Sequence, residues 1–238
     1  MIVSINQPAY LPWLGYFERI MSSDLHIVLD HVQFEKNSFV NRNKIRAGSS
    51  TCWLTVPVTT KGLFGQLAIS DLQIDTQQKW REKHWRTIEQ NYKKAPYFSK
   101  YAEHLQSIYH RPWDRLFDLQ REMLTAVLGW LDIETQILYS SDLEPKHTKD
   151  KMVLELCQSV GADLYISGAL GRDYLDLDLF KQANLQVVFQ DYQHPTYRQF
   201  QKGPFAPGMG IIDLMFNCGP ESAEIIASSS GVSEQVHE

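Results

Sequence analysis

The stretch IVSINQPAYLPWLGYFERIMSSDLHIVLD, residues 2–30, decides the fold. Its opening is apolar and β-branched but too short for a surface helix, which predicts a buried strand ending at Ser4 to Asn6. Behind Pro12, a residue suited to a helix's first turn, Trp13, Leu14, Phe17, Ile20 and Met21 recur at helical spacing, and the period stops at Ser22, Ser23 and Asp24. LHIVLD reads as a second buried strand. Strand, helix and strand in so short a space make a βαβ unit, which favours a parallel sheet.

After Gly129 the same rhythm resumes: ETQILYS as strand, KDKMVLELCQSV as an amphipathic helix stopped by Gly161, DLYISG as strand, YLDLDLFKQA as helix and LQVVFQ as strand. That alternation predicts an α/β fold, a Rossmann-like, mostly parallel sheet. Two insertions interrupt it. Residues of about 36–74 are expected to form an antiparallel hairpin, with TCWLTVPV as one strand and LAISDLQI as another. Residues of about 76–130 are expected to form a helical subdomain. Its three runs carry Trp80, Trp85, Ile88 and Tyr92, then Tyr101, Leu105 and Ile108, then Leu116, Leu119, Met123, Val127 and Leu128, with Pro96 and Pro112 near helix starts. The expected organisation is one domain over 1–228 and a flexible tail over 229–238.

Composition narrows the function. With 238 residues, 43% hydrophobic, the chain can bury a sizeable core. A net charge of −5 gives no global attraction to DNA or to an anionic membrane. Cys52, Cys157 and Cys218 are odd in number and widely spaced, so neither a disulfide framework nor a cysteine zinc site is indicated. No signal-peptide core and no bilayer-length apolar run stands out, and a cytoplasmic protein is expected. The eight histidines show no HExxH spacing, so no metal is predicted, and no GxSxG elbow or GxGxxG fingerprint occurs.

In open parallel sheets ligands bind beyond the carboxyl ends of the strands. The residues there are polar every time: Asn6-Gln7-Pro8, then Asp30-His31-Val32-Gln33, Ser140 to Asp142, Ser167-Gly168, and Gln190 to His194. In the first loop Gln7 and Tyr10 stand before a helix N-terminus, where free N–H groups favour phosphate or carboxylate, and Gly15 leaves room for another group to approach. Trp13 and Tyr16 read as core plugs. FEKNSFVNRNKIR offers Lys36, Arg42, Lys44 and Arg46 as anion donors, with amides at Asn37, Asn41 and Asn43, and its cations could also meet RNA phosphates. QDYQHPTYRQF gathers Tyr192, His194, Tyr197 and Arg198, and His194 is a candidate general base.

Taken in order, QPAYLPWLGYF, DHVQFEKNSFVNRNKI followed by WLTVPV, YISGALGRDYLD, VVFQDYQHPTY and IIDLMFNCG resemble the WbqC-like proteins over nearly the whole chain. The pattern departs at Asn6, where histidine is frequent, and at Gly210, where serine is commoner. The resemblance implies a setting in O-antigen and other surface-polysaccharide synthesis, and a glycine (aminoacyl) transferase role. It makes candidates of Gln7, Tyr10, Asp30, Gln33, Lys36, Asn37, Arg42, Asn43, Tyr174, His194, Tyr197, Asp213 and Asn217.

The expectation is acyl or aminoacyl transfer from an activated amino acid to an amino sugar on a nucleotide. His194 or Asp30 would be the base, Asn37 and Arg42 the oxyanion donors, and Lys36 and Lys44 the phosphate ligands, with Tyr197 a further catalytic candidate. Ser167, Gly168 and the remaining candidates would line the substrate site. A second expectation is nucleotidyl transfer with ATP and magnesium, suggested by a faint likeness of the first loop to a histidine–glycine–histidine signature in which Tyr16 replaces a histidine. No cofactor is firmly implied otherwise. A third is a non-catalytic sugar- or partner-binding protein whose Trp13, Trp53 and Tyr197 stack on a ligand.

Overall fold

The computed structural model describes residues 1–60 and 67–229, with the backbone of 232–233. The chain runs β1 (Ile2–Asn6), α1 (Leu14–Met21), β2 (Leu25–Val28), β3 (Arg42–Ala47), β4 (Ser50–Thr55), α2 (Trp80–Tyr92), α3 (Phe98–His110), α4 (Leu116–Trp130) and β5 (Gln136–Tyr139). It continues α5 (Ser140–Leu143), α6 (Lys149–Ser159), β6 (Leu164–Ser167), α7 (Leu177–Gln182), β7 (Gln186–Gln190), α8 (Ile211–Cys218), α9 (Ser222–Ala227) and β8 (Val232–Ser233). The main sheet has the order β5-β2-β1-β6-β7-β8, parallel except for β8. Numbered among themselves, the parallel strands follow 3-2-1-4-5, the Rossmann-like order, with the direction of winding reversing between β1 and β6.

Period-two alternation sets what each face of the sheet meets. Val3, Ile5, Leu25, Ile27 and Phe189 enter one core, together with Val153, Leu156 and Cys157 of α6 and Phe180 of α7. On the opposite face the alternate residues Ser4 and His26 are buried, and Ser4 Oγ bonds Ser23 Oγ at 2.7 Å and His26 Nδ1 at 2.7 Å. A second, larger core joins α1, the β3–β4 hairpin and α2 to α4 with α8. Its aromatic content follows from the helical spacing of Trp80, Trp85, Ile88 and Tyr92, which are all buried on one side of α2.

The hairpin differs from the sequence expectation. β3 pairs with β4, Ala47 opposite Ser50, across the turn residues Gly48 and Ser49; Gly48 has φ 58°, a conformation that glycine adopts without strain. LAISDLQI, expected as the partner strand, forms a 3₁₀ turn at Ile69–Asp71 with isolated bridges on either side. The real partner was hidden because β3 alternates buried Asn43 and Ile45 with half-exposed Arg42 and Lys44, so only one of its inward residues is apolar. Lys61 to Gln66, within the expected hairpin range, lie outside the described residues. So does most of the expected tail, 230–231 and 234–238; the backbone of Val232–Ser233 pairs with Phe189 and Gln190.

The first loop is braced from three sides. Tyr10 N–H donates to Phe39 O, Asn43 Nδ2 to Leu11 O at 2.6 Å, and Ile211 N–H to Pro12 O at 2.9 Å. Pro12 therefore sits before the cap residue Trp13 and not in the first turn of α1. Gly210 fits beneath this loop because a Cβ there would stand 2.8 Å from Leu11 O. No helix of the described residues is long and apolar enough to cross a membrane.

Candidate functional site

The strand ends of β1, β6 and β7 open onto a cavity of about 700 Å³ at the reversal of winding. Asn6, Gln7 and Pro8 form one side, Gly168 to Gly171 and Tyr174 another, and Gln190, Asp191 and Tyr192 a third, while Asn37 to Val40 close it from the hairpin side. A volume of this size suits one small-molecule ligand. A comparable hollow lies along α7 and β7, lined by Leu175, Asp178, Lys181 and Gln186 among others.

Arg19 reaches the cavity from α1 although the side chain is only 7% exposed. Its Nε and Nη2 donate to Gln190 Oε1 at 3.0 and 2.7 Å, and its Nη1 donates to Asn6 Oδ1 at 2.6 Å. Both acceptors are neutral amides. No carboxylate among the described residues forms an ion pair with it: the neighbouring Glu18, also buried, accepts from Ser22 Oγ and from Gln190 Nε2. Burial lowers the guanidinium's pKa, yet arginine stays cationic at neutral pH. Buried charges are ordinarily paired, because desolvation costs several kcal/mol. The buried Glu18 carboxylate next to it offsets part of the charge, and a cation otherwise held by two amide oxygens, with N–H capacity left over from its five donors, has the chemistry to meet a ligand anion.

Two polar atoms on the lining residues have no hydrogen-bond partner among the described residues, Asn6 Nδ2 and Tyr192 Oη. Burial pushes the Tyr192 and Tyr174 phenols up from 10.0, so both remain hydrogen-bond donors at neutral pH. Two glycines make the close packing possible. A Cβ on Gly15 would come 2.8 Å from the Tyr192 ring, so the group that approaches this glycine is a cavity wall. A Cβ on Gly168 would come 2.8 Å from Arg19 Nη2 and 3.0 Å from Nη1. Gly168→Ala is therefore expected to cost about 1–3 kcal/mol of stability by overpacking and to weaken anionic-ligand binding about tenfold, both measurable by thermal unfolding with and without nucleotide. Unchanged affinity would mean that the guanidinium does not contact the ligand.

The predicted residues divide into separate groups. Gln7, Asn37, Gly168 and Tyr174 line the cavity, and Ser167 lies beneath it, its Oγ 2.0 Å from where a Gly171 Cβ would fall. Arg42 and Lys44 are not among the lining residues; both stand over the Trp53 ring, at 4.4 and 5.0 Å from its centroid, and Arg42 Nη2 donates to Asn37 O. Lys36 and Gln33 are exposed beside the hairpin. Tyr10 is fully buried in the larger core, its hydroxyl bonded to His84 Nδ1 and Tyr109 Oη, and Asn43 is the loop brace.

Asp30 is buried at the ends of β2 and β5, where Oδ1 accepts from Ser140 Oγ and the Ser141 N–H, both at 2.9 Å; His31 Nδ1 is 2.6 Å from the same Ser140 Oγ. His194 is also outside the lining. Gly208 N–H donates to its Nε2 at 3.1 Å and its Nδ1 faces Pro195 O at 2.9 Å, so both ring nitrogens are engaged. Tyr197 Oη and Gln199 Nε2 donate to Asp213 Oδ2, and Tyr92 Oη donates to Oδ1 at 2.6 Å. Asn217 ties Phe200 N–H to the Asp213 carbonyl in the same network. This network joins α2, α8 and the loop after β7, away from the cavity residues. Gln7 thus faces the switch-point hollow, and Arg42 and His194 do not.

Sequence reasoning overlooked Arg19. Its signal was present: Glu18-Arg19 interrupts Leu14, Phe17 and Ile20 in a helix buried on all sides, so a charged pair had to be buried with it.

The sheet order and the site define a Rossmann-like α/β protein with a cation at the floor of its switch-point crevice. The sequence pattern of the WbqC-like protein family matches residues 7–225, and the chain belongs to that family. It is 36% identical over 227 residues to the uncharacterized protein Rv1507c of Mycobacterium tuberculosis, covering 94% of this chain and 96% of that one. No solved structure matches it.

Proposed function

We propose that the protein is an acyl- or aminoacyl-transferring enzyme that modifies an amino sugar carried on a nucleotide, in surface-polysaccharide synthesis, with the switch-point cavity as the acceptor site. The observation that carries this reading is Arg19, a buried guanidinium hydrogen-bonded to two neutral amides, on a cavity of about 700 Å³. A phosphate group of the nucleotide would complete its charge, and Asn6 Nδ2 and Tyr192 Oη supply further donors. The sugar amine would attack the carbonyl of the activated amino acid, forming the amide bond as the ester or thioester bond breaks. The proton lost by nitrogen leaves with the departing group. Family membership supports the polysaccharide setting, and the family's proposed glycine transfer supports the reaction class.

The test is incubation of the purified protein with nucleotide-linked amino sugars and activated amino acids, read by mass for the conjugate. Absence of any conjugate alongside tight sugar-nucleotide binding would instead favour a binding protein. The strand order, shared with mononucleotide-binding folds, favours a second reading, nucleotidyl transfer with ATP and magnesium. Stabilisation by ATP that depends on magnesium, seen as a thermal shift, would separate that reading from the first.

A further inference from the structure

The hairpin carries a surface that the cavity does not use. Between Glu35 and Asp71 the sequence holds no acidic residue, in a chain whose net charge is −5; of its basic residues Arg42 and Lys44 stand at the hairpin's exposed ring, while Arg46 is buried. Trp53 is 43% exposed and Phe39 44%, unusual for residues of this size. Their rings form a ladder: Trp13 to Phe39 at 5.6 Å, Phe39 to Trp53 at 6.0 Å, with the Arg42 guanidinium and the Lys44 ammonium over the indole. Trp13 and Phe39 also line the cavity, so the ladder leads from its mouth across the hairpin face. Among the described residues neither Arg42 nor Lys44 is in an ion pair.

We infer that this face binds the unpaired 3′ end of an aminoacyl-tRNA, which serves as the donor for the transfer proposed above; the inference rests on that reading. Stackable rings interleaved with unpaired cations suit a flexible polyanion whose units each have a flat face, which is single-stranded nucleic acid. A base can stack on the indole or on the guanidinium plane, while Lys44 meets a phosphate. A cavity that holds one small ligand has no need of a second cationic platform outside its mouth, but a donor attached to a chain of nucleotides does. The terminal ester would then enter the cavity. The sugar nitrogen attacks the ester carbonyl, the N–C bond forms, the C–O bond to the ribose breaks, and the ribose hydroxyl takes up the proton that nitrogen loses.

The test compares fluorescence anisotropy of the full-length protein with an intact transfer RNA and with the same RNA trimmed of its unpaired 3′ terminus. The intact RNA is expected to bind at least tenfold more tightly. Trp53→Ala should weaken it about tenfold, the loss typical of one stacked base, while Trp53→Phe should keep most of the affinity. Arg42→Gln with Lys44→Gln should lower the slope of log affinity against log salt by about one to two. Circular dichroism of each variant identifies any that fails to fold, and Trp53→Phe then carries the comparison. Equal binding of intact and trimmed RNA, an unaltered Trp53→Ala affinity in folded protein, or binding only to an acidic carrier protein would each overturn the inference. Nucleotide-linked sugar binding, measured on the same samples, stands or falls with the acceptor site and separates the two readings.

Discussion

Arg19→Met is expected to lower affinity for a nucleotide-linked amino sugar by about 30-fold or more while moving thermal stability little. The loss in binding follows from removing a buried, hydrogen-bonded charge opposite a ligand anion, which costs about 2–5 kcal/mol, and about 1.4 kcal/mol corresponds to a factor of ten. Stability is a contest between two opposed terms. Methionine removes a desolvated cation, a relief of several kcal/mol, against which stands the lost attraction of the neighbouring buried Glu18 carboxylate. It also leaves Gln190 Oε1 and Asn6 Oδ1 without their donor, at about 1–3 kcal/mol each. These nearly cancel. Arg19→Lys keeps the charge but not the planar fork that spans both amides, so an intermediate loss of affinity is expected. Calorimetric titration with the sugar nucleotide and thermal unfolding of the free protein measure the two quantities. The opposite pattern, normal affinity in a badly destabilised variant, would make Arg19 a structural strut and remove the acceptor site.

The sheet was legible because its strands are short apolar runs between amphipathic helices, and that rhythm survives two insertions. β1, α1 and β2 could be read from spacing alone, and so could α2 to α4, whose aromatic residues recur on one face. The hairpin was misread for a physical reason. Its inward residue Asn43 is held by the Leu11 carbonyl, a partner 32 positions away in the chain, so no local pattern announces a strand. The site was half legible. The rule that ligands gather at strand ends found Asn6, Gln7, Gly168 and Gln190, because those residues follow apolar runs. It placed Asp30 and His194 with them, and the resemblance added Asp213, although hydrogen bonds to Ser140, Gly208 and Tyr92 hold one oxygen of Asp30, the His194 ring and the Asp213 carboxylate away from the cavity. Residue type marks a group as capable of chemistry, and only its partners show whether that capacity is already occupied.

Occupied histidines give the second large effect, a loss of stability in mild acid. His26 is fully buried against Ser4, and burial lowers its pKa from 6.5 to about 3. His84, buried beside Tyr10, is lowered to about 4. Above about pH 7 both are neutral in folded and unfolded chains alike, so their contribution is complete. Below 6.5 the unfolded chain takes up protons that the native state refuses, and stability falls as pH falls until the folded values are reached. Each group contributes about 1.4 kcal/mol per pH unit in that window, hence about 2 kcal/mol each by pH 5, a large share of a typical stability of about 5–15 kcal/mol. His31, half-buried and shifted in the same direction, adds a smaller part. Glu155, held at about 2 by the Lys146 and His147 N–H groups, extends the loss below its ordinary 4.5. Asp213 acts in the other direction: burial raises its carboxyl, so its stabilising contribution belongs to low pH and is lost as pH rises through its folded value. One such group opposes the two histidines. Urea unfolding at pH 7.5 and 5.0 should show the drop, and His26→Asn and His84→Asn, which preserve a hydrogen-bonding atom near Nδ1, should each flatten the slope by about 1.4 kcal/mol per unit. A wild-type slope unchanged by either substitution would mean that these rings accept protons in the folded protein, and that the polar pair on the α1 face of the sheet reaches water.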